Sequence, residues 1–130
     1  MNNPDFLLET QAVIRKIESL KRLQKGWDSY GADPIDKDII EAGMKLIRNL
    51  PIDLAKDFHV APCYPGFQLE LEKNGKYLEL ELESPTSIHY YRVDENSKFE
   101  EEDYVLVSDL NGIINLIEWF YKDEKARLSP

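Results

Sequence analysis

The sequence predicts an α+β domain in which an antiparallel sheet of about four strands packs against two N-terminal helices and one C-terminal helix. Three patterns indicate this fold: apolar residues at helical spacing before Pro51, alternating apolar and polar residues after Phe58, and helical spacing again after Ser108. The chain has 130 residues, of which 42% are hydrophobic, and no linker divides it. Residues 1–130 are therefore expected to form one domain.

The first predicted helix is recognised by its start, its apolar stripe and its end. Asn3 is a suitable N-cap and Pro4 suits the first helical position, whereas Gly26 is typical of a helix end. The helix is therefore expected to run to about Gln24. Its stripe contains Phe6, Leu7, Val13, Ile14, Ile17, Leu20 and Leu23.

The second helix is expected to begin after the cap Asp36, because Ile35 and Ile40 are placed to form a hydrophobic staple across that cap. Asp33, before a proline, is a competing start. Pro51 is expected to end this helix. Its stripe contains Ile39, Gly43, Leu46, Ile47 and Leu50.

Residues 67–83 predict a β-hairpin around Asn74-Gly75, the favoured sequence for a two-residue type I′ turn. That turn sets the register, so Glu70 is expected to lie opposite Glu79 at an electrostatic cost. One hairpin face then contains Phe67, Leu69, Leu71, Leu78, Leu80 and Leu82. The opposite face contains Gln68, Glu70, Glu72, Tyr77, Glu79, Glu81 and Glu83.

Two further strands and a closing helix complete the prediction. Strands over 86–93 and 99–106, joined by a turn-rich segment at 94–97, would continue an antiparallel meander. Ser108 or Asp109 is expected to cap a last helix that runs to about residue 122. The apolar face of that helix contains Leu110, Ile113, Ile114, Ile117, Phe120 and Tyr121.

The charge of the chain is strongly negative and concentrated in its middle. The formal net charge is −9, and residues 67–103 carry eleven acidic and four basic side chains. This balance opposes direct binding to nucleic-acid phosphates and to anionic membranes. It favours a protein partner with a basic surface, and nucleic-acid-binding proteins are one class with such surfaces.

The predicted acidic hairpin face is the first candidate for a partner-binding site, through Glu70, Glu72, Glu79, Glu81 and Glu83. So many like charges on one face cost self-repulsion, which a surface of mixed signs would avoid. The alternative is structural, since a sheet with one buried face needs a polar outer face and acidic residues oppose edge-to-edge pairing.

The loop over 26–34 is the second candidate. Trp27 and Tyr30 are aromatic residues of the kind that anchor protein interfaces, and Asp28 can bond to nearby backbone amides. The alternative is a connector between helices that its aromatic residues hold in place.

Four short motifs resemble a family of small, uncharacterised bacterial and phage proteins. They are Gly26-Trp27-Asp28-x-Tyr30-Gly31-Ala32, Val60-x-Pro62, Gly66-x-Gln68-Leu69-Glu70 and Leu78-Glu79-Leu80-Glu81, within residues 26–83. The resemblance implies a shared α+β organisation and a mobile-element setting, and it implies no catalytic residue. The chain departs from the family at Leu71, where family members often have tryptophan, and shows no family motif beyond Glu83.

Catalytic and metal-site signatures are absent from the sequence pattern. His59, Cys63 and His89 do not have the spacing of a zinc site or of a cysteine hydrolase. His89 is expected on a sheet surface beside Tyr91, and Cys63 in a loop. We therefore expect a protein that is not an enzyme and has no metal, cofactor or catalytic residue.

A single cysteine excludes an internal disulfide, and the charged first twenty residues do not form a signal peptide, so a cytoplasmic location is expected. The favoured function is non-catalytic binding, as an inhibitor, antitoxin or anti-defence factor that covers a basic surface of its partner. One alternative is a homodimeric structural or accessory subunit that pairs through the exposed faces of its first and last helices. Another is a metal-dependent hydrolase with paired glutamates.

Overall fold

The computed structural model describes residues 4–122 and shows an α+β fold with a five-stranded antiparallel sheet in the order β1-β2-β3-β4-β5. Within this range no helix combines the length and the apolar composition needed to cross a membrane. The helical elements are α1 (Pro4–Ser19), a 3₁₀ turn (Leu20–Arg22), α2 (Lys37–Asn49), α3 (Ile52–Ala55) and α4 (Leu110–Tyr121). The strands are β1 (His59–Cys63), β2 (Gly66–Lys73), β3 (Lys76–Leu82), β4 (Ser87–Asp94) and β5 (Phe99–Leu106).

The sheet has five strands where about four were predicted, because β1 was missed. This strand is short and contains Pro62, which argues against a central strand but is tolerated at a sheet edge. Cys63 is consequently the last residue of a strand, and the prediction that it lies in a loop was wrong. The single-turn helix α3 after Pro51 was also missed, so the described residues contain four α-helices instead of three.

The helix starts follow the predicted caps where the structure describes them. The Asp36 side chain accepts a hydrogen bond from the Asp38 backbone N–H at 2.8 Å, and both staple residues are buried. Asp109, one of the two predicted caps, accepts from the Gly112 backbone N–H at 3.0 Å. The predicted cap Asn3 lies outside the described residues. Helix α1 ends at Ser19, before the predicted end, because the chain tightens into the 3₁₀ turn.

The hairpin of β2 and β3 has the predicted register. Asn74 and Gly75 have φ values of 53° and 82°, as a type I′ turn requires at both central positions. Leu69 pairs with Leu80 and Glu70 with Glu79. The six apolar residues of the predicted inner face are all buried.

The core lies between this inner face and the helices. Residues of α1, α2 and α4 form one buried cluster with the leucines of β2 and β3. The close approach of α2 depends on Gly43, because a Cβ atom there would clash with the buried Phe67 ring. The prediction that Leu7 belongs to the buried stripe of α1 was wrong, since this side chain is 47% exposed. Among residues 4–122, no helix covers the other face of the sheet.

Lys76 anchors helix α4 to the hairpin. Its Nζ donates to the backbone carbonyl of Trp119 at 2.9 Å and to that of Lys122 at 3.4 Å. A cation at the end of a helix satisfies free carbonyl groups and suits the helix dipole. In the register, Lys76 lies opposite the buried Asp94. Burial raises the pKa of Asp94, but hydrogen bonds from Asn96 and Ser97 and the charge of Lys76 outweigh burial and hold this pKa below its usual value.

Candidate functional site

The open face of the sheet, defined as the face opposite the leucines, consists of rungs of side chains that cross the strands. The central rung runs through His59, Glu70, Glu79, Tyr91 and Glu102. The rungs on either side contain Glu81 and His89, and Glu72 and Tyr77. Carboxylates and aromatic rings therefore share one surface.

Glutamates are the most numerous side chains of the open face. Its register positions on the five strands and the residue after β3 include no lysine or arginine. They include seven carboxylates, which are Glu70, Glu72, Glu79, Glu81, Glu83, Glu100 and Glu102. The five predicted hairpin glutamates thus lie on one surface, and β5 extends that surface by two more.

The Glu70–Glu79 pair is bridged by a hydroxyl group. Tyr77 Oη donates to Glu79 Oε1 at 2.7 Å and lies 3.4 Å from Glu70 Oε2. Partial burial, the bonds to both carboxylates and their charges raise the pKa of this hydroxyl, so it stays protonated at neutral pH. The bridge offsets part of the repulsion that the sequence predicted for this pair.

The acidic run over 100–103 is divided between the two faces of the sheet. Glu100 and Glu102 belong to the open face, whereas Glu101 points to the helical side. There Arg92 binds Glu101 through Nη2 at 2.7 Å and Nε at 2.8 Å, and its guanidinium carbon lies 5.0 Å from the centroid of the Trp119 ring. The run is therefore not a single block of charge.

Cys63 of β1, Glu81 of β3, His89 of β4 and Glu83, the residue after β3, meet at one end of the open face. Ligand atoms of Glu81, Glu83 and His89 all lie within 4.8 Å of one another. Cys63 Sγ lies 3.6 Å from Glu81 Oε1. As predicted, His89 lies on the sheet surface on the same face as Tyr91, and its ring contacts that of Tyr104 at 5.0 Å between centroids.

The environment of Cys63 keeps its thiol protonated. Burial, followed by the charge of Glu81 and a hydrogen bond to that carboxylate, raises the pKa of Cys63 to about 11. Partial burial, a hydrogen bond with Glu81 and the charge of Glu81 also raise the pKa of Glu83. Cys63 and Glu83 therefore hold their protons more strongly than isolated side chains of the same kind do.

We expect the Cys63 thiol to be alkylated by iodoacetamide at pH 8 roughly 15 to 25 times more slowly than an ordinary cysteine. Its thiolate fraction is roughly 200-fold lower, and the greater nucleophilicity of a more basic thiolate recovers only part of this loss. Glu81→Gln should accelerate the reaction severalfold, because it removes the neighbouring charge. Glu72→Gln, the matched control, should leave the rate unchanged, and a reaction midpoint near pH 8.5 in the native protein would contradict this expectation.

The 26–34 loop belongs to the helical layer, on the other side of the sheet from the carboxylates. Trp27 packs against the core, and its Nε1–H donates to the Asp33 carbonyl at 2.8 Å. Asp28 accepts from the backbone N–H groups of Ala32 and Tyr30, which lower the pKa of its carboxyl group. Tyr30 is 92% exposed. Of the three predicted loop residues, Tyr30 thus offers a free side chain, whereas Trp27 and Asp28 hold the loop in shape.

Comparison of the chain with protein-family models, curated proteins and solved structures finds no match. The resemblance to the bacterial and phage family therefore stays a prediction. The function of the chain has to be argued from its own residues.

Sequence reasoning missed two groups of residues on the open face. It did not place Glu100, Glu102 and Tyr104 beside the hairpin glutamates, although the alternation in β5 carries that signal. It also did not predict the contact between Cys63 and Glu81, because β1 was not recognised as a strand.

Proposed function

We propose that this chain is a non-catalytic binding protein whose open face docks onto a basic surface of a partner protein. The observation that carries the proposal is a set of seven carboxylates on a sheet face that no described helix covers and whose strand positions include no lysine or arginine. Fields of this kind accelerate encounter with a basic partner and disfavour acidic ones. By covering the partner's basic surface, the chain would act as an inhibitor, antitoxin or anti-defence factor.

The spacing of the carboxylates supports recognition of more than one basic side chain at a time. Alternate residues of a strand lie about 6.8 Å apart and neighbouring strands about 4.8 Å apart, so the carboxylates form a grid. Arginine is suited to such a grid because its planar fork binds carboxylates through two hydrogen bonds. Tyr77, Tyr91 and Tyr104 supply aromatic surface between the charges, as interface anchors do.

The competing structural role of these charges applies best to β5. This strand lies at a free edge of the sheet and carries acidic residues on both faces, which is how proteins oppose edge-to-edge pairing. The hairpin glutamates lie on β2 and β3, which are paired on both sides, so edge protection does not account for them.

The test is capture of partners by the native chain and by Glu70→Lys/Glu79→Lys/Glu81→Lys, followed by identification of the retained proteins. We expect the native chain to retain a basic protein whose release increases with salt, and the triple variant to lose it. If that protein binds nucleic acid, the native chain should displace the nucleic acid in a competition assay.

Glu9→Lys/Glu18→Lys/Glu118→Lys is the matched control, because it changes the net charge equally at exposed positions of the helices. It should retain the same partner. Equal retention by the open-face variant, independent of salt, would refute the acidic docking surface.

The alternative of a homodimer draws support from Leu7 and Leu8 on α1, which are 47% and 60% exposed. The contacts of α4 argue against its use in such a dimer. Trp119 already contacts Phe99, with ring centroids 6.0 Å apart, and lies beside Lys76 and Arg92.

A further inference from the structure

The cluster of Glu81, Glu83 and His89 has a donor set that differs from the rest of the acidic face. It combines two carboxylates with an imidazole, and the ligand atoms of all three lie within 4.8 Å of one another. Ligand atoms around a four-coordinate zinc ion are about 3.3 Å apart, so small side-chain rotations would close the set around one ion. Oxygen-only sites suit Ca²⁺ and Mg²⁺, whereas an added imidazole favours Zn²⁺, Co²⁺ or Ni²⁺.

The surroundings of His89 match those of a metal-binding histidine. Its Nε2 lies 3.1 Å from Glu102 Oε1. Metal-bound histidines commonly donate their second ring N–H to a carboxylate, which orients the ring and makes the other nitrogen a better ligand. Because Nε2 faces Glu102, Nδ1 is the ring nitrogen that is left for a cation.

The two carboxylates come together at a repulsive cost that a cation would remove. Glu81 and Glu83 are like charges, and their ligand oxygens lie within 4.8 Å of each other. A divalent ion bound between them would neutralise both carboxylates at once. Cys63, whose thiol contacts Glu81, adds a soft donor next to the same group.

We propose that Glu81, Glu83 and His89 form a binding site for a divalent transition-metal ion of the Zn²⁺ type, with Glu102 orienting the histidine and Cys63 adjacent to the site. This site goes beyond the proposed docking function and does not depend on it. Three protein ligands leave a fourth position for water or for a side chain of another molecule.

The experiment is calorimetric titration of the tag-free 130-residue chain with Zn²⁺, together with the absorption spectrum of the Co²⁺ form. We expect one ion per chain, a Co²⁺ spectrum typical of coordination by protein side chains, and weaker binding at acid pH because protons compete for the ligands. His89→Gln and Glu83→Gln should each weaken Zn²⁺ binding at least tenfold.

Glu72→Gln is the matched control, because it removes the same charge from an exposed position of the same face without removing a ligand. It should change the affinity less than threefold, and excess Mg²⁺ should not displace Zn²⁺. Equal losses in Glu72→Gln and Glu83→Gln would show diffuse attraction to the acidic face and overturn the site. Binding that persists in His89→Gln but disappears in Cys63→Ser would also overturn it.

These outcomes are separable from the docking test. Loss of Zn²⁺ binding leaves the result of the partner-capture experiment unaffected, because five of the seven carboxylates lie outside the proposed metal ligands. Likewise, a chain that captures no basic partner can still bind one Zn²⁺ ion.

Discussion

Replacement of Leu80 by alanine is expected to lower the free energy of unfolding by about 3–5 kcal/mol. Leu80 is completely buried. The substitution loses the free energy of burying three side-chain carbons, and it leaves a cavity that the surrounding core closes only in part. Chemical denaturation monitored by circular dichroism measures this change. An unchanged slope of the unfolding free energy against denaturant would assign the loss to stability rather than to altered compactness.

Glu72→Ala is the control for this substitution, because Glu72 lies on the neighbouring strand but on the open face, where it is exposed. Its effect should stay within about 0.5 kcal/mol. Similar losses in the two variants would mean that the leucines and glutamates do not occupy opposite faces. The open acidic surface would then not exist.

Gly43→Ala is expected to destabilise the protein by about 2 kcal/mol, although alanine is normally the better helix former. Intrinsic propensity favours alanine over glycine by about 1 kcal/mol within a helix. Here the added methyl group overlaps the Phe67 ring, which is fully buried, so the ring can move aside only by displacing other core side chains. Overpacking costs about 1–3 kcal/mol and occasionally more, so we expect the steric cost to exceed the gain in propensity.

A double-mutant cycle with Phe67→Leu tests the cause of this loss. The smaller leucine provides room for the methyl group, so Gly43→Ala should cost at least 1 kcal/mol less in the Phe67→Leu background, a difference of about the size seen between contacting residues. Additive effects would locate the cost elsewhere in α2. A stabilising effect of Gly43→Ala alone would contradict the close approach of this helix to the sheet.

The hairpin could be predicted in detail because its signals are local. Asn74-Gly75 selects a two-residue turn, and a two-residue turn leaves one register for the strands that it joins. With that register, the side-chain alternation of a strand assigns Leu80 to the core and Glu79 to the open face. The caps Asp36 and Asp109 could be predicted for the same reason, since each depends on a hydrogen bond to a residue no more than three positions away.

The composition of the open face could be predicted only in part. Glu100 and Glu102 are sequence neighbours of Glu101, yet they lie on the open face. Glu101 lies on the helical face, where it binds Arg92. The pairing of β4 with β5 is set over the longer turn at 95–98, whose length does not select one register as strictly as Asn-Gly does. Alternation indicates the face of each residue, but not its cross-strand neighbour.

Local patterns in the chain thus specify the three longer helices, the hairpin and a polar sheet face rich in glutamate, because caps, tight turns and side-chain periodicity act over a few residues. The meeting of Cys63, Glu81, Glu83 and His89 comes from folding, because it joins β1, β3 and β4 through hydrogen bonds between distant segments. The spacing of these four residues in the sequence does not indicate that their side chains lie close together. The same holds for Gly43 and Phe67, whose contact exists because packing presses α2 against the sheet.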